Sequence, residues 1–208
     1  FINMYDYFQE IDDVTESYHF DWITYWESEC HFNIEYIPNT NDIRVYDGKT
    51  FIMYAHFLNR SYKHIDYINY FDKNRRKVKR ELFDIRGFLS CTKILTGRQE
   101  TVYESYHNEN GEILIEKYYH TVSGESQLDL IVLNHHQKHY FFNSEEELVA
   151  YFIEDLYQEG DLFFSDKNRN TSPAFNLTDS KIPVVAVLHS THVKNSQEIN
   201  SSNYKKIL

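Results

Sequence analysis

The chain is poor in the residues that punctuate a fold. Its 208 residues hold only 6 Gly and 3 Pro, so few positions are predisposed to break a regular element. Two cysteines, Cys30 and Cys91, are too few for a disulfide framework, and no CxxC or Cys/His spacing suggests a zinc site. A reducing cytosol is the expected location. Apolar runs are short as well: none approaches the roughly 18 residues that a membrane-spanning helix needs. Positive charge is scarce, with 21 Lys and Arg against 32 Asp and Glu. A net charge of -11 argues against non-specific nucleic-acid binding, because phosphate contacts need a positive footprint.

Aromatic residues are abundant. The 18 Tyr and 15 Phe favour half-buried strand surfaces on which rings pack across neighbouring strands, and 41% apolar content is enough for a real core. Near the start, Tyr5, Phe8 and Ile11 recur at helical spacing, which predicts a short amphipathic helix. Trp22 and Trp26 follow in an aromatic, acidic stretch expected to pack beneath a solvated face. From Phe32 the period changes to two, with short aromatic and β-branched runs separated by turn signals every 8 to 12 residues or so. That pattern predicts an antiparallel meander. Its clearest hairpin flanks Asp47-Gly48, because type I′ turns need positive φ. Open strand edges recruit other chains, so oligomerisation or a partner subunit is expected through this sheet.

Within the meander, Lys73, Arg75, Arg76, Lys77, Lys79 and Arg80 form a basic run. It is either a solvated edge or turn that resists aggregation, or an anion site for a polyanionic acceptor or acidic lipid headgroups, which leaves peripheral membrane association open. His135, His136 and His139 look like a metal cluster on paper but flank a turn, where solvated histidines are expected; no metal site is assigned.

At Asn143 the period becomes 3.6. Ser144 and Glu147 make a capping box, and Leu148, Val149, Phe152, Ile153, Leu156 and Tyr157 form a stripe that Gly160 is expected to close. An apolar strand over residues 161–166 follows, then a polar loop, a helical turn beginning at Pro173, and the run 183–188, which reads as a strand buried on both faces. Strand, helix and strand within about 30 residues form a βαβ unit and imply a parallel sheet. Ligands bind at the carboxyl ends of such strands, which puts His189 at the mouth of a site unless it merely caps a carbonyl or packs in the sheet. The expected fold class is α+β: a large antiparallel β-meander attached to or inserted in part of a Rossmann-like α/β layer. The expected segments are 1–31 (helical linker), 32–142 (meander) and 143–208 (the α/β layer).

Several stretches carry a resemblance: "YINYFDKNRRKVKRELFDIRGFL", "VYESYHNENGEILIEKYYH", "SEEELVAYFIEDLY" and "IPVVAVLHSTH". Together they resemble the N-terminal half of bacterial family 4 glycosyltransferases of the two-Rossmann (GT-B) type, in the subgroup with an inserted β-meander. That subgroup includes the poly(ribitol- or glycerol-phosphate) α-glycosyltransferases of wall teichoic acid and the transferases of serine-rich surface proteins. The resemblance implies a retaining enzyme that uses a nucleotide-sugar donor and no further cofactor. It implies that His189 faces the donor and acceptor cleft as the catalytic residue, with Asp166 and His192 on the acceptor side; the basic run, through Arg75, Arg76 and Lys77, would suit a polyanionic acceptor such as teichoic acid. The family's Gly-rich first loop and its second Rossmann domain have no counterpart here, and the chain begins at Phe1, so it is expected to be an acceptor-side piece of a longer enzyme. A non-enzymatic β-sheet module for binding or assembly is the competing class.

Overall fold

The computed structural model describes residues 2–11, 19–165, 173–179, 181–187, 193–194 and 198–199. The chain divides into two compact units, residues 1–141 and 142–208. The first contains almost all of a ten-stranded antiparallel meander in which every strand pairs with its neighbours in sequence. Its strands are β1 (Asn33–Tyr36), β2 (Asp42–Asp47), β3 (Thr50–Phe57), β4 (Ile65–Phe71), β5 (Lys77–Phe83), β6 (Leu89–Leu95), β7 (Thr101–His107), β8 (Ile113–Val122), β9 (Glu125–His135) and β10 (Lys138–Phe142). The hairpin forms where expected, but its two turn residues are Gly48 and Lys49, with Asp47 paired to Thr50 and Gly48 alone at positive φ (57).

The middle of the meander repeats every twelve residues. Asp72, Asp84, Thr96 and Asn108 each open a turn whose fourth residue, Arg75, Gly87, Gln99 or Gly111, adopts positive φ. A type I turn followed by a left-handed residue is a standard hairpin closure. The opening side chain holds it: Asp72 Oδ1 accepts from the N–H of Asn74 at 2.8 Å and of Arg76 at 2.9 Å, and Asn108 Oδ1 does the same for Asn110 and Glu112. Thr96 uses its hydroxyl in the same way toward Arg98 and Glu100. Register shifts follow the same spacing, at Tyr70/Phe71, Leu82/Phe83, Ile94/Leu95, Tyr106/His107 and Tyr118/Tyr119. Bulges of this kind add local twist to the sheet.

Each face of the sheet carries its own cover. On one face Ile43, Val45, Met53, Ala55, Phe57, Ile65 and Ile68 cluster under Trp26. Trp26 lies in a π-helical turn (Tyr25–Glu29) that continues α2 (Trp22–Thr24), so the acidic aromatic stretch packs as expected. Successive strand residues face opposite ways, and the row Tyr67, Leu82, Cys91, Tyr106 is in register beside Ile68 on the other face. There α1 (Met4–Phe8) docks, with Tyr5 stacked on Tyr106 at 4.7 Å and Gln9 donating to the Ser90 carbonyl at 3.1 Å. Lys117 is only 1% exposed beneath this helix; its ammonium donates to the Tyr5 hydroxyl at 2.7 Å and lies over the Tyr5 and Tyr106 rings. Next to it, Glu104 accepts from Lys93 Nζ at 2.6 Å and from the Tyr106 and Tyr119 hydroxyls. Burial pushes the Glu104 carboxyl up, but these donors outweigh it and hold it below its ordinary value of 4.5.

In the second unit α3 (Glu145–Leu156) starts at Ser144, whose hydroxyl accepts from Glu147 N–H. Glu147 reaches back to the N–H of Asn143 at 2.6 Å, one residue earlier than in a standard capping box. The helix stops sooner than its apolar stripe predicts. Tyr157 is already extended, and Gly160 instead serves the turn into β11 (Phe163–Ser165). β11 pairs in parallel with β12 (Val184–Ala186), with a helical turn over residues 173–175 between them in sequence. The α+β class and the parallel strands hold. Burial on both faces does not: Val184 and Val185 are 43% and 42% exposed, in a sheet that has only two strands among the described residues. A short antiparallel pair, β13 (Val193–Lys194) and β14 (Glu198–Ile199), completes the unit.

Two outcomes test this account. Ile68→Ala should cost about 2–5 kcal/mol in denaturant unfolding, whereas Ile85→Ala, at a solvated turn, should stay within about 0.5 kcal/mol of the parent. Because the folded-state pKa of Glu104 is depressed, its stabilisation is present above about pH 4.5 and is lost as pH falls through the folded value. Glu104→Gln should therefore be less stable by about 1–3 kcal/mol at pH 7, and the gap should close on acidification. A gap independent of pH between 7 and 3 would contradict the ionised network.

Candidate functional site

Residues assigned to the site from sequence fall in two places. Asp166, His189 and His192 lie outside the described residues. The strands that lead to the first two are in place: Phe163, Phe164 and Ser165 stand in register with Val184, Val185 and Ala186, and Val187 N–H donates to the Ser165 carbonyl at 2.8 Å. Both strands therefore run toward one end of a parallel sheet, the end at which α/β proteins place ligands.

Arg75, Arg76 and Lys77 lie at the β4–β5 turn of the meander. Arg75 is exposed with φ 60. Arg76 is tied down: its Nε donates to Asp72 at 3.1 Å, and its guanidinium rests over Gly97 of the β6–β7 turn, where an added Cβ would come within 3.2 Å of it. The Lys77 carbonyl accepts from Gln99 Nε2. The basic run is neither a sheet edge nor one patch. β5 lies between β4 and β6 inside the sheet, and alternation sends Lys79 and Arg80 to opposite faces. Lys79 pairs with Glu81 at 2.5 Å, while Arg80 stacks 4.1 Å from the centre of the Tyr67 ring. Of the three histidines near the β9–β10 turn, His136 and His139 are solvated, but His135 is buried against Phe8 because its strand position faces α1.

The sequence had not pointed to a cavity of about 570 Å³ in the first unit. It forms where residues 19–24 pass the ends of β1 and of the β3–β4 loop, and Phe20, Ile23, Tyr36 and Tyr62 wall it, with Asp21 and Lys63 at the rim. Tyr36 and Tyr62 meet edge to face at 5.0 Å, and Tyr62 is braced by Phe57 and held at φ 54. Bulky residues seldom take this conformation. The loop imposes it: Asn59 Oδ1 accepts from Ser61 N–H at 2.9 Å, and Leu58 N–H bonds the His64 carbonyl across the loop. Asp21 accepts from the Thr24 N–H and hydroxyl, which hold its carboxyl below the usual range. Burial and the nearby Glu27, Tyr62 and Asp21 push the Tyr36 phenol up, so it is a hydrogen-bond donor at neutral pH. Residues so far apart in sequence give no local signal; only the hairpin order brings them together.

No protein-family model matches the chain, and no curated protein matches it. The fold is nonetheless shared with glycosyltransferases, with a glycosylation associate protein complex and with accessory secretory protein 1,2 and 3, so the likeness seen in the sequence holds at the level of fold. Among these solved structures are the pneumococcal O-GlcNAc transferase GtfA in complex with UDP and GlcNAc (TM-score 0.69, 15% identity, 93% of this chain and 37% of that chain) and a TarM variant of S. aureus in complex with fondaparinux, alpha-GlcNAc-glycerol and UDP (0.65, 17%, 99% and 41%). The structure of accessory secretory protein 1,2 and 3 of Streptococcus pneumoniae is similar too (0.65, 19%, 88% and 36%). Across these and other similar solved structures, including GtfA/B complexes, the chain spans about 36% to 43% of the length of the matched chain.

Proposed function

We propose that this chain is the acceptor-side part of a retaining glycosyltransferase that moves a sugar from a nucleotide-sugar donor to a cell-surface acceptor. The observation that carries this is the pairing of a ten-stranded meander with a parallel β11–β12 unit, a combination shared over 93% and 99% of the chain with GtfA and TarM, whose complexes hold UDP and a GlcNAc-bearing ligand. In this reading His189, two residues beyond Val187, faces the cleft between donor and acceptor and stabilises charge near the reacting carbon. Asp166 and His192 bind the acceptor beside it, and Arg75, Arg76 and Lys77 contribute from the meander. The nucleotide sugar is a substrate and no further cofactor takes part. The acceptor is a polyol-phosphate polymer, favoured by the exposed Lys73–Arg75 turn, or a Ser/Thr-rich protein, favoured by a net charge of -11. The enzyme works in the cytoplasm, at or near the inner face of the membrane, and the meander joins copies or a partner subunit.

A second reading, a non-enzymatic binding or assembly module, draws on the similarity to accessory secretory protein 1,2 and 3 and to the Gap123 complex of Streptococcus agalactiae, whose names state secretion or association with glycosylation. The two readings separate in the full-length protein. His189→Ala should reduce sugar transfer at least about 100-fold with unchanged melting; undiminished transfer would sink the catalytic role. Deleting residues 34–142 should abolish assembly or acceptor binding, and an unchanged oligomer with unchanged acceptor affinity would refute the role of the meander.

A further inference from the structure

We infer that the cavity between residues 19–24 and the β3–β4 loop of the first unit is a binding site for a neutral saccharide ring. Its volume, about 570 Å³, lies within the 300–1,000 Å³ or so typical of small-ligand sites. The walls and rim then narrow the chemistry. Tyr36 and Tyr62 form a right-angled aromatic corner, with Phe20 as a third ring, and such surfaces suit the apolar C–H face of a sugar ring. Around that corner stand exposed groups that a polar ligand can engage. Asp21 uses two acceptor sites on Thr24 and keeps others free, because an ionised carboxylate offers about four. Lys63 presents three donors and has no ion-pair partner among the described residues. Ser61, which precedes Tyr62, adds a hydroxyl that donates to Asn59 Oδ1 and can still accept.

A purely apolar ligand would leave these exposed donors and acceptors in water and gain nothing from them. A phosphate or other polyanion would meet Asp21, with Glu27 close to Tyr36, against a single Lys. A sugar hydroxyl both donates and accepts, so one ring can satisfy carboxylate and ammonium together while stacking on tyrosine. Tyr62 is the part the fold strains to build: its left-handed backbone turns the ring onto Tyr36 and Phe57. This inference does not rest on sugar transfer, and its test uses neither a nucleotide sugar nor turnover.

The chain carries its own reporter. Its two tryptophans are Trp22 and Trp26, and Trp22 lies 4.8 Å from the Phe20 ring of the cavity wall. Titration of the 208-residue chain with methyl α-glucopyranoside and with N-acetylglucosamine should give a saturable change in tryptophan fluorescence. Tyr36→Ala and Lys63→Ala, both at exposed positions, should each weaken it about tenfold or more, while Lys49→Ala, at the exposed β2–β3 turn on the other end of those strands, should leave it unchanged. Should Tyr36→Ala fail to fold, Lys63→Ala decides. The inference is overturned if neither sugar saturates, if free tyrosine or inorganic phosphate saturates the signal in place of sugar, or if sugar binding survives both substitutions.

Discussion

The first unit depends on one local hydrogen-bond arrangement used again and again. A short oxygen-bearing side chain at positions 72, 84, 96 and 108 accepts backbone N–H groups two and, in most cases, four residues on, and this fixes the turn through contacts local in sequence. Each closed turn sets the register of the next strand pair, and register decides which side chains face α1 and which face Trp26. A slip of one residue at any of them would send Ile68 to the face where Tyr67 now stands.

The sheet is then locked by a small number of buried charges. Lys117 beneath α1 and Glu104 beside it sit where hydrocarbon would ordinarily be, and each is satisfied by tyrosine hydroxyls, aromatic faces or an opposite charge. Removing one member leaves the others desolvated, so the network specifies how the N-terminal helix docks more than it adds raw stability. Tyrosine serves both needs, with a ring for packing across strands and a hydroxyl for the carboxylates. That accounts for a sequence with 18 of them.

The exposed faces follow from the same geometry. Alternation divides the basic run of β5 between the two faces, so charges adjacent in sequence do not act together. Meander order also brings the β1 end and the β3–β4 loop to the same end of the sheet, where residues 19–24 close a cavity over them. The α/β unit holds its parallel pair in the register that directs both strands to the same end of the sheet.

Much was legible in the sequence because it is encoded over a few residues. Alternation from Phe32, the hairpin at Gly48, the capped start of α3 and the two apolar segments that pair in parallel are all short-range signals, and the structure contains them. The twelve-residue repeat was visible only as turn signals of loose spacing, because Asp, Thr and Asn share the capping chemistry but not the letter. What only the tertiary structure decided involves separations of tens of residues: the burial of His135 against Phe8, the place of β5 inside the sheet, the exposure of Val184 and Val185, and the meeting of Tyr36 with Tyr62. The sequence by itself determined which stretches pair and where they turn, since hydrogen bonds within a hairpin are local. Which face each side chain joins, and what covers it, was decided by register and docking, because those depend on every strand in between.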